Sequence, residues 1–354
     1  MKRLFKILIL TIVAVICAVG LFACENGGSG DGKTGLLYKM YDGDDYYTVY
    51  GYVKEDGVSE LNIGDYNKDG VVIKRIKTGA FKNNDSLSKI VVPDTVETID
   101  GGAFANMKAI EELELPFIGK TAVADVFFNS ADDAQASIKS VGNERNFGYI
   151  FGTEEYDGGV GCSQNYDASN TSTYYIPETL KKVVVSPKAD LNYGIPMYAF
   201  AGNAWVSEIV LSENVKSVGE AAFKDNVYAA TVNLGKIETL YDKAFNGAKN
   251  ITAADLTGLT AMGSECFTNC VALKTVSINT NVKADTFSGC TALKTIAIGS
   301  DVSEIGARAF NGCSNLSEIT VEGANSWTVG EASGVSFDAE SVKNATYSVL
   351  VWTR

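Results

Sequence analysis

The chain has no histidine in 354 residues. That removes Ser-His-Asp and Cys-His nucleophile pairs and every imidazole metal ligand. It has no glycine-rich loop that follows a strand and opens a helix, so a phosphate cradle is missing too. Positive charge is short: 30 Lys and Arg stand against 43 Asp and Glu, for a net charge of −13. This balance disfavours nucleic acid and anionic membrane surfaces as partners. Carboxylates are plentiful, so a paired-carboxylate glycosidase is not excluded by counting.

What the chain does have is one phrase repeated. Its clearest copy is Ala309-Phe310-Asn311-Gly312-Cys313, followed by Leu316, Ile319 and Val321. An apolar residue stands six, nine and eleven positions after the Phe. The same count holds from Phe81, Phe104, Phe200, Phe267 and Phe287, and from Phe223 and Phe245 with one small residue each. From Phe200 to Phe310 the anchors step by 23, 22, 22, 20 and 23 residues. A period in this range predicts a solenoid of stacked coils.

Each coil can be reasoned from its residues. Apolar positions nine and eleven alternate with polar ones, as in a half-buried strand. Such strands stacked in parallel, about 4.8 Å apart, would pair their backbones over a common core. Pro93 and Pro116 sit one residue past a strand, where no ladder donor is needed. A second apolar pair follows, as in Val96/Ile99, Val215/Val218 and Val302/Ile305. Gly219, Gly263 and Gly306 stand four residues before the next Phe and suit a bend with unusual φ.

These residues resemble the leucine-rich-repeat superfamily, and within it the BspA-like, or Treponema-type, repeats of bacterial surface proteins. The resemblance is carried by Ala80-Phe81, Ala103-Phe104, Ala199-Phe200, Ala222-Phe223, Ala244-Phe245 and Ala309-Phe310 with the apolar runs after them. Cys266-Phe267 and Thr286-Phe287 depart from Ala-Phe but keep the spacing. It covers roughly residues 45 to 322. It implies a right-handed leucine-rich-repeat solenoid, mostly β, with parallel strands on the concave face and short turns or 3₁₀ pieces on the convex side. It implies adhesion to a host or neighbouring-cell surface protein and little chemistry.

In chain order, residues 1–23 read as an export signal: Lys2, Arg3 and Lys6 precede an apolar or small run from Ile7 to Ala23. Leu21-Phe22-Ala23-Cys24 resembles a lipobox, with Cys24 as the lipidated residue. Losing the signal would take the net charge from −13 to −16. Residues 24–35, rich in glycine, read as a flexible linker. Residues 36–75 are expected to form an N-terminal cap that covers the open end of the array. Within it Asp65-x-Asn67-x-Asp69-Gly70 matches half a calcium loop. The twelfth position, where a carboxylate belongs, is Ile76, so a polar turn is the better reading.

The array is expected over 76–321, with an insertion at about 117–175 and a C-terminal cap at 322–354, where Val349, Val351 and Trp352 suggest a closing strand. The insertion carries Phe128, Tyr149, Tyr156 and Tyr166 among other rings. They either pack the segment onto the array or form stacking platforms for a glycan. On the sheet's outer face, position eight after the Phe gives Lys89, Glu112 and Glu208, and the irregular coil places Lys182 between the last two, in alternating sign; later coils give small neutral residues such as Thr275 and Thr295. Cys270, Cys290 and Cys313 stand where other coils have Asn84, Asn203 and Asn226, three after the Phe. They read as buried free thiols, since none has the short spacing of a thiolate metal site.

The expectation is therefore a monomeric, exported, lipid-anchored binding protein facing outward. It needs no cofactor and no metal, touches the membrane only through its lipid, and performs no catalysis. A glycan-capture protein is the first alternative and a β-helix-type polysaccharide enzyme the second.

Overall fold

The computed structural model describes residues 34–68, 70–122, 142–167, 169–203, 205–227, 234–344 and 347–354. The signal segment, Cys24, most of the linker and Phe128 lie outside the described residues. Gly35, expected at the end of the linker, opens the strand Gly35–Lys39.

The fold is a mostly-β parallel solenoid. Strands Glu60–Asn62, Lys89–Val91, Glu112–Leu115, Lys182–Val185 and Glu208–Leu211 stack side by side as one run of the main sheet. Ala253–Leu256, Thr275–Ile278, Thr295–Ile298 and Glu318–Val321 form a second run. Registers follow the count from the Phe: Ile90 lies beside Leu113, Leu113 beside Val183, and Val183 beside Ile209. All four are fully buried, while the residues between them face outward. Burying each such side chain is worth about 1.5–3 kcal/mol.

The second apolar pair does more than turn. Ile73–Ile76 and Thr98–Ile99 pair in parallel, as do Tyr193–Ile195, Val215–Val218, Thr239–Leu240 and Ala261–Met262. These coils so carry a short strand of a second sheet where turns alone were expected. Stacked backbones must satisfy their N–H and C=O groups, and the only partners at that spacing are the neighbouring coils.

On the third side of the coil the Phe rings form a column. Consecutive centroids from Phe200 to Phe310 lie 5.2, 4.9, 5.4, 5.5 and 5.4 Å apart, with planes within 11° of parallel. A backbone ladder runs beside it. The Phe223 N–H donates to Ala244 C=O, Phe245 to Cys266, Phe267 to Thr286 and Phe287 to Ala309, each at 2.8 Å. The residue before the Phe is thus an acceptor wedged between coils, which explains why it is Ala, Cys or Thr; Ala222, Ala244, Cys266 and Thr286 are fully buried.

The unusual backbone falls elsewhere than the sequence suggested. Gly219, Gly263 and Gly306 do not have positive φ. They are glycine because a Cβ on Gly219 would lie 2.7 Å from the Ile195 carbonyl oxygen, and one on Gly306 would lie 2.5 Å from the Ala284 nitrogen. Left-handed residues stand two before and two after each Phe, such as Glu265 at φ 57° and Asn269 at φ 61°. Asn, Asp and Gly tolerate that region, so the Asn-Gly of the repeat phrase was the signal for it.

The insertion rebuilds this side of the coil where the repeat lapses. Phe147–Ile150 forms a 3₁₀ turn. Gly102 and Phe104 donate their N–H groups to Tyr149 and Ile150 carbonyls, and Phe147 donates to Ala199. Rings Phe151 and Phe147 continue the column: Phe104 to Phe151 is 6.4 Å, Phe151 to Phe147 5.3 Å and Phe147 to Phe200 5.0 Å. An antiparallel hairpin, Gly159–Asn165 with Thr171–Pro177, lies over it. Its buried Gln164 accepts from the Gly148 N–H and donates to the Ala199 carbonyl, both at 2.7 Å.

At the N-terminal end Gly35–Lys39 pairs antiparallel with Tyr47–Val53, which pairs with Ile73–Ile76. Asp65 and Asn67 are committed to this turn: Asp65 accepts from Asn62 and Asn67 from the Ile73 N–H. At the other end Trp352–Thr353 pairs antiparallel with Glu304–Ile305 and with Trp327–Val329. Of the three residues named for a closing strand only Trp352 is buried; Val349 and Val351 are 48% and 44% exposed. Phe337 meets Phe310 at 5.9 Å and ends the ring column.

Candidate binding surface

The largest assembly of charged side chains lies on the outer face of the main sheet's first run. Parallel pairing in register puts Glu60, Lys89, Glu112, Lys182 and Glu208 in one row. The four residues expected from the sequence are brought together. Glu60, which the sequence reading did not name, joins the row ahead of them. Lys89 Nζ lies 3.0 Å from Glu112, and Lys182 lies 3.7 Å from Glu112 and 3.8 Å from Glu208. The hydrogen bond and charge of Glu112 raise the Lys89 ammonium above its usual range. Side chains in the row keep between 25% and 47% of their surface exposed, so each pair contributes only about 0.2–1 kcal/mol.

The next outward row is Asn62, Val91, Glu114, Val184 and Val210. The first run thus offers two charged lysines, four carboxylates and three half-exposed valines on a flat surface. The second run has smaller side chains and fewer charges: Ala253, Thr275 and Thr295 lead to Glu318, and Asp255, Ser277 and Ala297 to Thr320.

The tyrosines of the insertion sit apart from one another. Tyr149 is half-buried with its ring 3.0 Å from where a Cβ on Gly101 would be. Burial and then Glu144 raise its phenol above the usual range. Tyr156 lies against Gly159, and its phenol oxygen is buried without a partner; burial and then Glu178 push it up as well. Tyr166 is at the hairpin tip, its N–H bonded to Asn170 C=O. Phe147, Phe151 and Tyr174 are buried in the packing just described.

The cysteines are structural. Cys162, Cys266, Cys270, Cys290 and Cys313 are free and buried. Cys270, Cys290 and Cys313 each donate Sγ–H to the Phe carbonyl of the preceding coil, at 3.1–3.2 Å. Asn226 does the same to Phe200 through its amide, at 3.1 Å. Burial pushes the Cys162 thiol up to about 12 and raises Cys266 and Cys313 too. A thiol so held is neither nucleophile nor metal ligand. Among the described residues no group of three or more Cys, Asp or Glu is placed to hold a metal ion, and no helix is long and apolar enough to cross a membrane.

The model of the BspA type leucine rich repeat region matches the chain in six copies, over residues 71–147, 193–317 and 280–344. No curated protein matches it. Among solved structures it is similar to a leucine-rich repeat protein from Eubacterium ventriosum, at 20% identity over 81% of this chain and 83% of that one, with a TM-score of 0.34. A leucine rich cell surface protein from Faecalibacterium prausnitzii shares 16% identity over 85% and 97%, with a TM-score of 0.31. The T. pallidum leucine rich repeat protein shares 15% over 82% and 91%, with a TM-score of 0.27.

Proposed function

Because the chain belongs to the BspA-type leucine-rich-repeat family, we propose that it is a lipid-anchored protein of the cell surface that binds another protein and catalyses nothing. The observation that carries the reading is the outer face of the main sheet. There Lys89, Glu112, Lys182 and Glu208 form a flat, half-exposed charged row with valines beside it. Such a face fixes the orientation and rate of an encounter more than its strength. The partner is a host or neighbouring-cell surface protein. The carboxylates of this row are half-exposed and ion-paired, as solvated charge is, which supports binding over hydrolysis.

Anchoring rests on the Ala23-Cys24 pair and the glycine-rich stretch after it. A glycan remains the second reading, carried by the partly exposed rings of Tyr149, Tyr156 and Tyr166. A pull-down of host surface proteins with the 26–354 body, beside a glycan array, tests both. Lys182→Glu reverses the centre of the row, and it should abolish a protein partner's capture while melting within a few degrees of the parent. Retention of every captured partner by Lys182→Glu would remove the sheet from the reading. Signal on the array alone would replace protein by glycan.

A further inference from the structure

One coil is short, and the shortening opens a second surface. From the end of the main strand to the next anchoring Phe the chain takes twelve residues after Leu211 and Ile298 and eleven after Leu256, but nine after Ile278. Eight positions before the anchor other coils bury Val215, Ile237, Leu259 or Val302. Here that position is Asn279, which has no apolar side chain to pull its segment onto the core.

The second sheet breaks at this point. After the insertion its strands pair in sequence from Tyr193–Ile195 as far as Ala261–Met262 and stop there. Pairing resumes only beyond, where Val282 bridges Ile305. Elsewhere one rung repeats: Gly219 N–H to Ile195 C=O, Tyr241 to Val218, Gly263 to Leu240, and Gly306 to Val282. Among the described residues no backbone N–H makes the matching rung to Met262 C=O, nor one to Thr260 C=O. Asn279 and Asn281 turn the other way. Asn279 bonds Asp301 at 2.9 Å, and Asn281 accepts from the Ser303 and Glu304 N–H groups at 2.8 and 3.0 Å. A notch of about 550 Å³ is left, lined by Thr260, Ala261, Met262, Thr280, Lys283 and Asp301 among others.

We propose that this notch takes an extended peptide segment of a partner protein, which adds a strand to the open edge at Ala261–Met262. Two carbonyls with no rung, on residues two apart, repeat every ~6.7 Å along a strand, which is also the repeat of like-facing N–H groups in an extended chain. A sugar lacks that repeat, and no aromatic ring lines the notch to stack on one. Ala261 is small and exposed, leaving room above the edge. Lys283 is exposed on the opposite wall. Its ammonium, which makes no salt bridge with the chain among the described residues, selects a peptide carrying Asp or Glu beside it. The site goes beyond the main-sheet reading and does not depend on it.

The test is selection of random linear peptides displayed on phage against the intact chain, with two variants as counter-targets. The first inserts Thr-Gly after Ile278 and carries Asn279→Leu, restoring the length and apolar position of the coil and closing the notch. The second is Lys283→Glu at the exposed wall, which keeps the fold should the insertion fail to. Enriched peptides should be acidic and should bind both variants at least about tenfold more weakly than the parent chain, the loss expected from one or two missing hydrogen bonds. Lys182→Glu on the main sheet should leave them unchanged. No enrichment, or equal affinity for the parent and Lys283→Glu, overturns the proposal.

Discussion

Replacing Phe267 by Ala tests the array at its centre. The ring is fully buried. It lies 5.4 Å from Phe245 and 5.5 Å from Phe287, at interplanar angles of 5° and 8°. Its removal leaves a cavity between two rings that cannot close on each other, because the backbone ladder fixes the coil spacing. Phe245 N–H still donates to Cys266 and Phe267 N–H to Thr286. A cost of about 3–5 kcal/mol is expected, which is a large share of a typical folding free energy of about 5–15 kcal/mol. In a globule that loss would be felt everywhere. In a solenoid each coil touches only its neighbours, so the loss concentrates where the stack is cut. Amide hydrogen exchange should accelerate most between Ile251 and Ile298 and least between Phe81 and Leu115. Thr275 is exposed on the strand beside it, and Thr275→Ser should cost within about 0.5 kcal/mol. Uniform loss of protection along the chain, or equal costs for the two substitutions, would refute the reasoning.

Gln164→Met removes both bonds that tie the hairpin to the array and strands the Gly148 N–H and Ala199 C=O. Urea denaturation should show a loss of about 2–5 kcal/mol, whereas exposed Ser163→Ala should be nearly neutral. The five thiols of the described residues should resist a thiol reagent in the native state at pH 8 and react together only on unfolding. The folded pKa values of Cys162, Cys266, Cys290 and Cys313 lie above the ordinary 9.0. The unfolded chain therefore releases these protons first as pH rises. Stability from this source is full below about pH 9 and declines above it, and melting temperatures measured from pH 7 to 11 should fall accordingly. Cys24→Ser should move the chain out of the membrane fraction or leave it unprocessed, and mass spectrometry of the native N-terminus finding an unmodified residue other than Cys24 would end that idea.

The strands were legible because their information is local. Ile90, Leu113, Val183 and Ile209 could be aligned by counting from a Phe, and the ladder pairs them as counted, with Val183 placed although its coil has no anchor of its own. Lys89, Glu112 and Glu208 came from the same count, and Lys182 from the apolar run Leu180, Val183 and Val185 of the irregular coil. What stayed hidden depends on groups far apart in sequence. Gln164 reads as one more polar residue in a hairpin until Gly148 and Ala199 are seen on either side of it. Phe147 and Phe151 lack the repeat's spacing, yet they fill the ring column, because a column requires only a ring of the right height. Gly219 was read as a bend from its residue type, though its reason is the Ile195 carbonyl in the previous coil. Type alone cannot separate a glycine that must twist from one that must make room.

The position three after each Phe shows how one role can be met by different chemistry along the chain. Asn84 bonds forward within its own coil, accepting from the Leu87 N–H at 2.8 Å, and Asn203 accepts from Val206 at 3.3 Å. A thiol is a poor acceptor. In the cysteine coils the corresponding N–H turns to the backbone instead: Leu273 donates to Cys270 C=O, Leu293 to Cys290 and Leu316 to Cys313, at 3.0–3.1 Å. The Sγ–H is then free to point backward to the preceding Phe carbonyl. Asn84 and Asn203 close their own turns, whereas the cysteines, like Asn226, link one coil to the last.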